Sequence, residues 1–428
     1  MAPPKGGYAP DLDKFLDTLK RRPVDASVEF LISLLKRRQI RGSEPCAIAT
    51  AHVLLQVVAR DKWSDVDQLI GRVQLIGRRL VAAQPHELVI GNIVKRVLGL
   101  IRDEAEEDRN ENGSDSITDS TPSLPPAITA PPFDNRIRPL SLIALGGFAR
   151  TQSMFNLLSD PDFIPSPTST PRLGGSGAST PLRHGQSTNV HALRSEVIDG
   201  IEEIMDEIRQ VDEQIQAYAE IVIHPGDYVL VHQPSRTVQK FLTRAASKRK
   251  YTLFLVVDPT TASATEDPYA SLRKSLSSGG STVVNIMNVG LVAYMSRVNK
   301  VILGARAITR KGGVIVDSGA AAIARAAREQ GRTVVVLGGV YKISPDNRSH
   351  HEGFVEWGNP NKYVNFADGA MVGQVKVRNA IAEFVPTELV NTYITNLGAH
   401  SKDHLHGIIA DHYNKEDMSF DLFGKIQR

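Results

Sequence analysis

The sequence predicts an α/β protein, with an N-terminal all-helical domain followed by a domain built on a parallel sheet. Two observations carry this. From Asp11 to about Asp108, apolar residues recur at helical spacing. From Asp227 to Leu337, short Val/Ile-rich runs alternate with amphipathic segments that begin at Ser or end at Gly. Strands that read as unbroken apolar runs belong in a sheet covered on both faces, and their alternation with helices makes that sheet parallel. The result is a Rossmann-like layer.

Along the chain, DLDKFLDTLKRR opens a first helix, capped by Asp11, with Leu12, Phe15, Leu16 and Leu19 on its apolar face. Helices follow over Ser27–Gln39, Ser43–Arg60 and Ser64–Ala83, each begun by a serine expected to cap it. HELVIGNIVKRVLGLIRDEAEED is one further helix, its apolar face formed by Leu88, Ile93, Val97, Leu100 and Ile101. Together these make a helical domain over 11–108. Residues 109–190 are acidic at first, then rich in Ser, Thr, Pro and Gly, with too few apolar side chains to offset the entropy of ordering. A largely disordered insert is expected there, with one short packed segment at 139–158. A connecting helix over 191–222 carries Val197, Ile201, Ile204, Ile208, Ile215 and Ala219 on one stripe.

The sheet domain occupies 223–428. DYVLV, YTLFLVVD, STVVNI, NKVILG and TVVVLG read as strands. Between them, SRTVQKFLTRAASKR is a helix capped by Ser235, and PYASLRKSLSSGG and NVGLVAYMSR are helices too. SGAAAIARAAREQG is a helix expected to be capped by Ser318 and ended by Gly331. Gly304 to Ser318 reads as a glycine-punctuated loop between strand and helix.

Composition narrows the function. A hydrophobic share of 41% and a charged share of 23% suit an ordinary globular chain, and a net charge of +3 argues for no nucleic-acid partner. The lone Cys46 excludes an internal disulfide and a Cys-rich metal site, fits a reducing compartment, and reads as core. MAPPKGGYAP lacks the apolar centre of a signal peptide, and no apolar run reaches membrane-spanning length, so a cytosolic chain with no membrane contact is expected.

Ligands of parallel α/β sheets sit beyond the carboxyl ends of the strands. That directs attention to His232–Arg236, Asp258–Thr261, Asn285–Asn288, Gly304–Ser318 and Gly338–Lys342. No GxGxxG follows a strand, and no GxxxxGK[ST] occurs. Ser235 and Ser318 could hold an anion at helix N-termini, although capping is the simpler role. His232, Ser235 and Asp258 could suggest a nucleophilic triad, but no GxSxG elbow is present. His350, His351 and the HLH at His404–His406 lack a third metal ligand at suitable spacing. KRRQIRG and SKRK have no interleaved aromatics and read as solvated charge. No catalytic, cofactor-binding or metal-binding residue is therefore expected.

The ordered run IVIHPGDYVLVHQPSRTVQKFL, AYMSRVNKVILGARAI and VYKISP resembles the family that unites the alpha, beta and delta subunits of eukaryotic translation initiation factor 2B with sugar-phosphate isomerases. SRTV, MSRVNKVILGA and GNIVKRVLGLIRDEA are most similar to its beta branch. The resemblance covers Asp11–Asp108 and Val190 to about Asp421. In the isomerases, the loop after the NKVILGA strand reads approximately GAD-R-I-x-x-N-G-D-x-x-N-K, and its second Asp is a general acid/base. Here GADRI becomes Gly304-Ala305-Arg306-Ala307-Ile308, N-G-D becomes Lys311-Gly312-Gly313, and N-K becomes Val316-Asp317. The isomerase cysteine is replaced by His232-Gln233-Pro234, and the phosphate-gripping Arg has no counterpart between Tyr251 and Leu272. Proton transfer between sugar carbons needs a group that can carry the proton, and glycine cannot.

What the resemblance implies is a vestigial pocket around His232, Ser235, Arg236, Gly313, Asp317 and Ser318, in a chain that is not itself an enzyme. It implies a regulatory subunit of the guanine-nucleotide exchange factor that converts initiation factor 2 from its GDP-bound to its GTP-bound form. Alpha, gamma, delta and epsilon subunits are the implied partners, with two copies of each in the complex, and the phosphorylated alpha subunit of initiation factor 2 is the implied signal. By family position Gly226, Tyr228, Thr252 and Phe254 should approach a partner subunit. The competing reading is a sugar-phosphate isomerase or a sugar-phosphate-binding relative.

Overall fold

The computed structural model describes residues 12–114, 190–257, 268–346, 355–360, 363–364, 369, 376–420 and 422. The predicted insert beyond residue 114, its packed segment at 139–158, and Asp11, Asp258, His350 and His351 lie outside the described residues.

The first helices are α1 (Leu12–Leu19), α2 (Val24–Lys36), α3 (Ser43–Arg60), α4 (Val66–Ala83) and α5 (Leu88–Ser114). Their caps differ from the serine pattern. Pro23, whose ring presets φ at −63°, leads into α2, while the Ser27 hydroxyl turns back onto the Pro23 carbonyl at 3.1 Å. The Asp65 carboxylate, not Ser64, takes the Val66 amide of α4. Ser43 is the first residue of α3, and its hydroxyl donates 2.9 Å to the Arg306 carbonyl on the sheet side. The connecting helix is α6 (Val190–Ala217), interrupted at Tyr218 before the short α7 (Ala219–Val222).

Alternation then begins with β1 (Tyr228–His232), α8 (Arg236–Ala246), β2 (Thr252–Val257), α9 (Ala270–Ser278), β3 (Thr282–Met287), α10 (Leu291–Met295) and β4 (Lys300–Gly304). Next come β5 (Ala307–Thr309), β6 (Val314–Asp317), α11 (Ala320–Glu329), β7 (Thr333–Leu337), β8 (Ile343–Ser344), β9 (Glu356–Gly358) and β10 (Asn379–Val385). The chain closes with β11 (Thr392–Thr395), β12 (Gly398–His400), α12 (Leu405–His412) and α13 (Lys415–Ser419). The main sheet has seven strands in the order β12-β11-β7-β4-β1-β2-β3, parallel except where β12 pairs with β11.

The expected loop from Gly304 to Ser318 is instead the β5–β6 hairpin. Gly313 accepts the Thr309 amide at 2.8 Å through its carbonyl, and the Gly312 amide bonds the Thr309 carbonyl at 2.8 Å. The hairpin forms because its flanks, Ala307–Thr309 and Val314–Val316, are buried and gain strand partners in β8 and β10. A second sheet of order β8-β5-β6-β10-β9 results.

One apolar core joins Phe15 of α1, through α2–α5 and α6, to Val229, Leu253, Ile302 and Leu337 in the sheet. The helical segment is thus a layer over one sheet face, sharing its core. The opposite face packs on α10, α11 and α12 through Leu230, Val301, Ile323 and Ile408. Polar residues of GNIVKRVLGLIRDEA fix that layer. The Asn92 side chain donates 3.0 Å to the Tyr341 carbonyl, and Arg96 pairs with Glu207 of α6 at 2.6 Å. Lys95, only 1% exposed, pairs with Asp346 and donates to the Met418 carbonyl at 3.3 Å.

Candidate functional site

A cavity of about 540 Å³ lies between the helical layer and the carboxyl ends of β1, β4 and β6. This is the crevice position that the sheet topology favours for a ligand. Its walls carry cations and acids from distant parts of the chain, and four of them, Arg38, Arg306, Asp317 and Glu356, pair with one another.

Arg306, just before β5, is the centre. Its Nε and Nη2 lie 2.8 and 2.5 Å from Asp317 Oδ1, and its Nη1 lies 3.1 Å from Glu356 Oε2. Glu356, 4% exposed, also pairs with Arg38 beyond the end of α2. Asp317, Arg306, Glu356 and Arg38 therefore form one alternating chain of charge that bridges sheet and helical layer. Burial pushes the Lys342 ammonium below its ordinary pKa, and its Nζ donates 3.0 Å to the Ala305 carbonyl. Burial also pushes the Glu87 carboxyl upward, against the pull of Arg306. The guanidinium groups of Arg306 and Arg38 are thus spent on the protein's own carboxylates.

Of the six residues expected around the vestigial pocket, Ser235, Arg236 and Asp317 line this cavity. Ser235 caps α8, accepting the Val238 amide at 3.5 Å. His232 and Ser318 are set beside it rather than in it. The His232 Nε2–H donates 2.8 Å to the Ser318 carbonyl, because a carbonyl can only accept. His232 is therefore oriented by backbone and makes no bond to Ser235.

Ser318 does not cap α11. The N-cap is Gly319, at φ +102°, where a Cβ would come within 2.8 Å of His232 Nε2. The capping anion comes from β10: Glu383 Oε1 accepts the Gly319 and Ala321 amides, each at 2.7 Å. A local serine loses to a distant carboxylate because the carboxylate satisfies two orphan amides at the positive end of the helix. Gly313 also lies away from the cavity. A Cβ there would sit 2.1 Å from Cζ of Phe384, so the ring occupies the space a side chain at 313 would need.

Glu383, Glu356, Glu87 and Arg38 were missed by sequence reasoning. Three of them belong to segments far from the strand ends in sequence. Glu383 alone carried a signal, as an isolated acid inside the apolar run NAIAEFV.

At the other end of the sheet, Tyr228 is 41% exposed and stacks on Phe254, with ring centroids 5.8 Å apart and planes 16° apart. Phe254 is 3% exposed and also meets Tyr294 at 5.4 Å. Phe254 is thus a core residue beneath Tyr228 rather than a surface anchor, since β2 is flanked by strands on both sides. Gly226 is exposed at φ +81° and Thr252 is half-buried. At the carboxyl end of β3 and into α10, Met287, Val289 and Val292 project apolar side chains into solvent.

The Initiation factor 2 subunit family model matches residues 39–402. The chain is 33% identical over 399 residues to translation initiation factor eIF2B subunit beta of Schizosaccharomyces pombe, covering 91% of this chain and 96% of that one. A chain of the crystal structure of the tetrameric eIF2B-beta2-delta2 complex from C. thermophilum superposes with a TM-score of 0.65 at 40% identity, covering 94% of this chain and 100% of that one. Ribose 1,5-bisphosphate isomerase of Haloferax volcanii is 24% identical over 217 residues, covering 51% of this chain and 66% of the enzyme.

Proposed function

Because the chain belongs to the Initiation factor 2 subunit family, we propose that it is a non-catalytic regulatory subunit, of beta type, in the initiation factor 2B complex. That complex would act as the guanine-nucleotide exchange factor for initiation factor 2 in the cytosol. The observation that carries this reading is coverage. Similarity to the S. pombe beta subunit spans both chains almost end to end, whereas similarity to the isomerase stops at about half of this one. The site supports it: Arg306, at the centre of the cavity, is committed to Asp317 and Glu356, and position 313, outside the cavity, is a glycine packed on Phe384.

In this reading delta is the direct partner, with alpha, gamma and epsilon completing a complex that holds two copies of each. The chain helps to register the phosphorylated alpha subunit of initiation factor 2. The surface around Gly226, Tyr228 and Thr252, supported from beneath by Phe254, is the proposed subunit interface. The test is reconstitution. Complexes assembled with and without this chain are assayed for GDP release from initiation factor 2, with its alpha subunit phosphorylated or not. Inhibition by the phosphorylated form should depend on the chain. Isomerisation of ribose 1,5-bisphosphate by the purified chain, or exchange inhibited equally in its absence, would replace this reading with the sugar-phosphate one.

A further inference from the structure

The neighbouring helices α8 and α9 build a surface of one sign. Residues 235–250 hold six Lys and Arg, residues 268–281 hold two, and neither stretch contains Asp or Glu, although the whole chain is only +3. Arg236, Lys240 and Arg244 recur every four residues along α8, so they follow one another at about 6 Å on a single ridge, with Lys248 just past its end. Between α8 and α9 runs a groove of about 440 Å³. Those three cations line it beside the hydroxyls of Thr243, Ser247 and Ser275, and among the described residues no acidic or aromatic side chain does.

The positive charge is only lightly compensated. Lys240 meets Asp212 at 2.9 Å, and Arg244 lies 3.9 Å from Glu220. The Arg244–Glu220 pair, exposed on both sides, contributes little and gives way to a better-placed partner, whereas Lys240 stays with the buried Asp212. Arg236, Lys248 and Lys250 project into solvent.

The chemistry selects among anionic partners. Single-stranded nucleic acid binds where basic residues are interleaved with exposed aromatics on which bases stack, and among the described residues this groove has none. A membrane surface would be met by apolar side chains flanking the cations, and the one apolar residue of the groove, Leu272, is buried. Cations at a helical-turn repeat, alternating with hydroxyl donors, match successive carboxylates on an acidic peptide. We propose that the α8–α9 groove is a docking site for a Glu/Asp-rich segment of a partner protein.

The experiment uses the full chain and a fluorescent Glu-rich peptide, with binding read by anisotropy. Binding should weaken about tenfold in the Arg244→Glu/Lys248→Glu variant and fall with salt, while Arg310→Glu/Lys311→Glu, the same charge change on the exposed β5–β6 turn, leaves it within about twofold. A milder Arg236→Gln/Arg244→Gln variant repeats the test if the charge reversal perturbs folding. Equal weakening in both charge-reversal variants would reduce the effect to bulk charge and overturn the proposal. Tighter binding of a single-stranded RNA of equal charge, or of phosphatidylserine vesicles, would reassign the surface, and absence of peptide binding would dismiss it.

Discussion

Arg306 and Asp317 face each other across the β5–β6 hairpin as an ion pair. In the isomerase pattern that the sequence resembles, these positions would carry Asp and Lys; here they carry Arg and Asp, joined by two contacts of 2.8 and 2.5 Å. Two departures that look like separate losses in sequence thus compensate each other in space. If the pair is a unit, Arg306→Ala and Asp317→Ala should not add. A double-mutant cycle on thermal stability should give a coupling of about 1 kcal/mol, since both side chains are partly exposed. Strict additivity would mean that the two reversals are unrelated.

Restoring the carboxylate should not restore chemistry. Phe384 fills the space beside Gly313, so Gly313→Asp must displace an aromatic ring before any substrate is bound. The variant is expected to lose about 1–3 kcal/mol of stability through overpacking. It should also show no turnover of ribose 1,5-bisphosphate above a buffer blank. Measurable isomerase activity in the variant would show that the ring yields and that one residue separates scaffold from enzyme.

Legibility of the sequence followed the range of the interactions. The order of β1, α8, β2, α9, β3 and β4 was readable because each element declares its own period and ends. The β5–β6 hairpin was not, because AIT and VIVD are too short to signal strands and their partner NAIAEFV lies more than sixty residues on. Caps failed for the same reason. Ser318 has the local chemistry, yet α11 is capped by Glu383, whose proximity only the second sheet creates. Family resemblance located the altered loop but could not say that Arg306 would also reach Glu356, or that Arg38 would close the chain of charge.

Lys95 offers a test of how the helical layer is held. It is 1% exposed in α5 and answers Asp346, which is itself largely shielded. Removing one member of a buried pair leaves the other charge uncompensated, so Lys95→Ala should cost about 3 kcal/mol or more in chemical denaturation. Lys95→Met/Asp346→Leu, which removes both charges, should recover much of that loss. A single mutant as stable as the parent would mean that water already solvates the pair.

Asp212 links α6 to α8, accepting from the Thr237 hydroxyl at 2.7 Å and from Lys240 at 2.9 Å. Burial alone would raise its pKa, but the Lys240 and Thr237 bonds outweigh burial and hold it below the ordinary carboxylate value. A carboxyl depressed on folding contributes stability above its unfolded pKa and loses it as pH falls through the folded value. Asp212→Asn should therefore lower the melting temperature at pH 7, with the gap narrowing once pH drops below about 4. A gap independent of pH would assign the effect to packing rather than charge.

The stack of Tyr228 on Phe254 separates assembly from folding. Tyr228 keeps 41% of its surface in solvent, whereas Phe254 keeps 3%. An exposed aromatic that becomes an interface anchor commonly contributes about 2 kcal/mol or more to binding. Tyr228→Asp should accordingly weaken co-purification with the delta subunit while leaving the circular dichroism and melting of the isolated chain close to those of the parent. Phe254→Ala removes a buried ring between Tyr228 and Tyr294 and should cost about 3–5 kcal/mol of stability, reducing pairing only through loss of folded chain. If Tyr228→Asp pairs with delta as tightly as the parent, this end of the sheet is not the interface. The exposed apolar residues Met287, Val289 and Val292 around α10 then become the surface to mutate next.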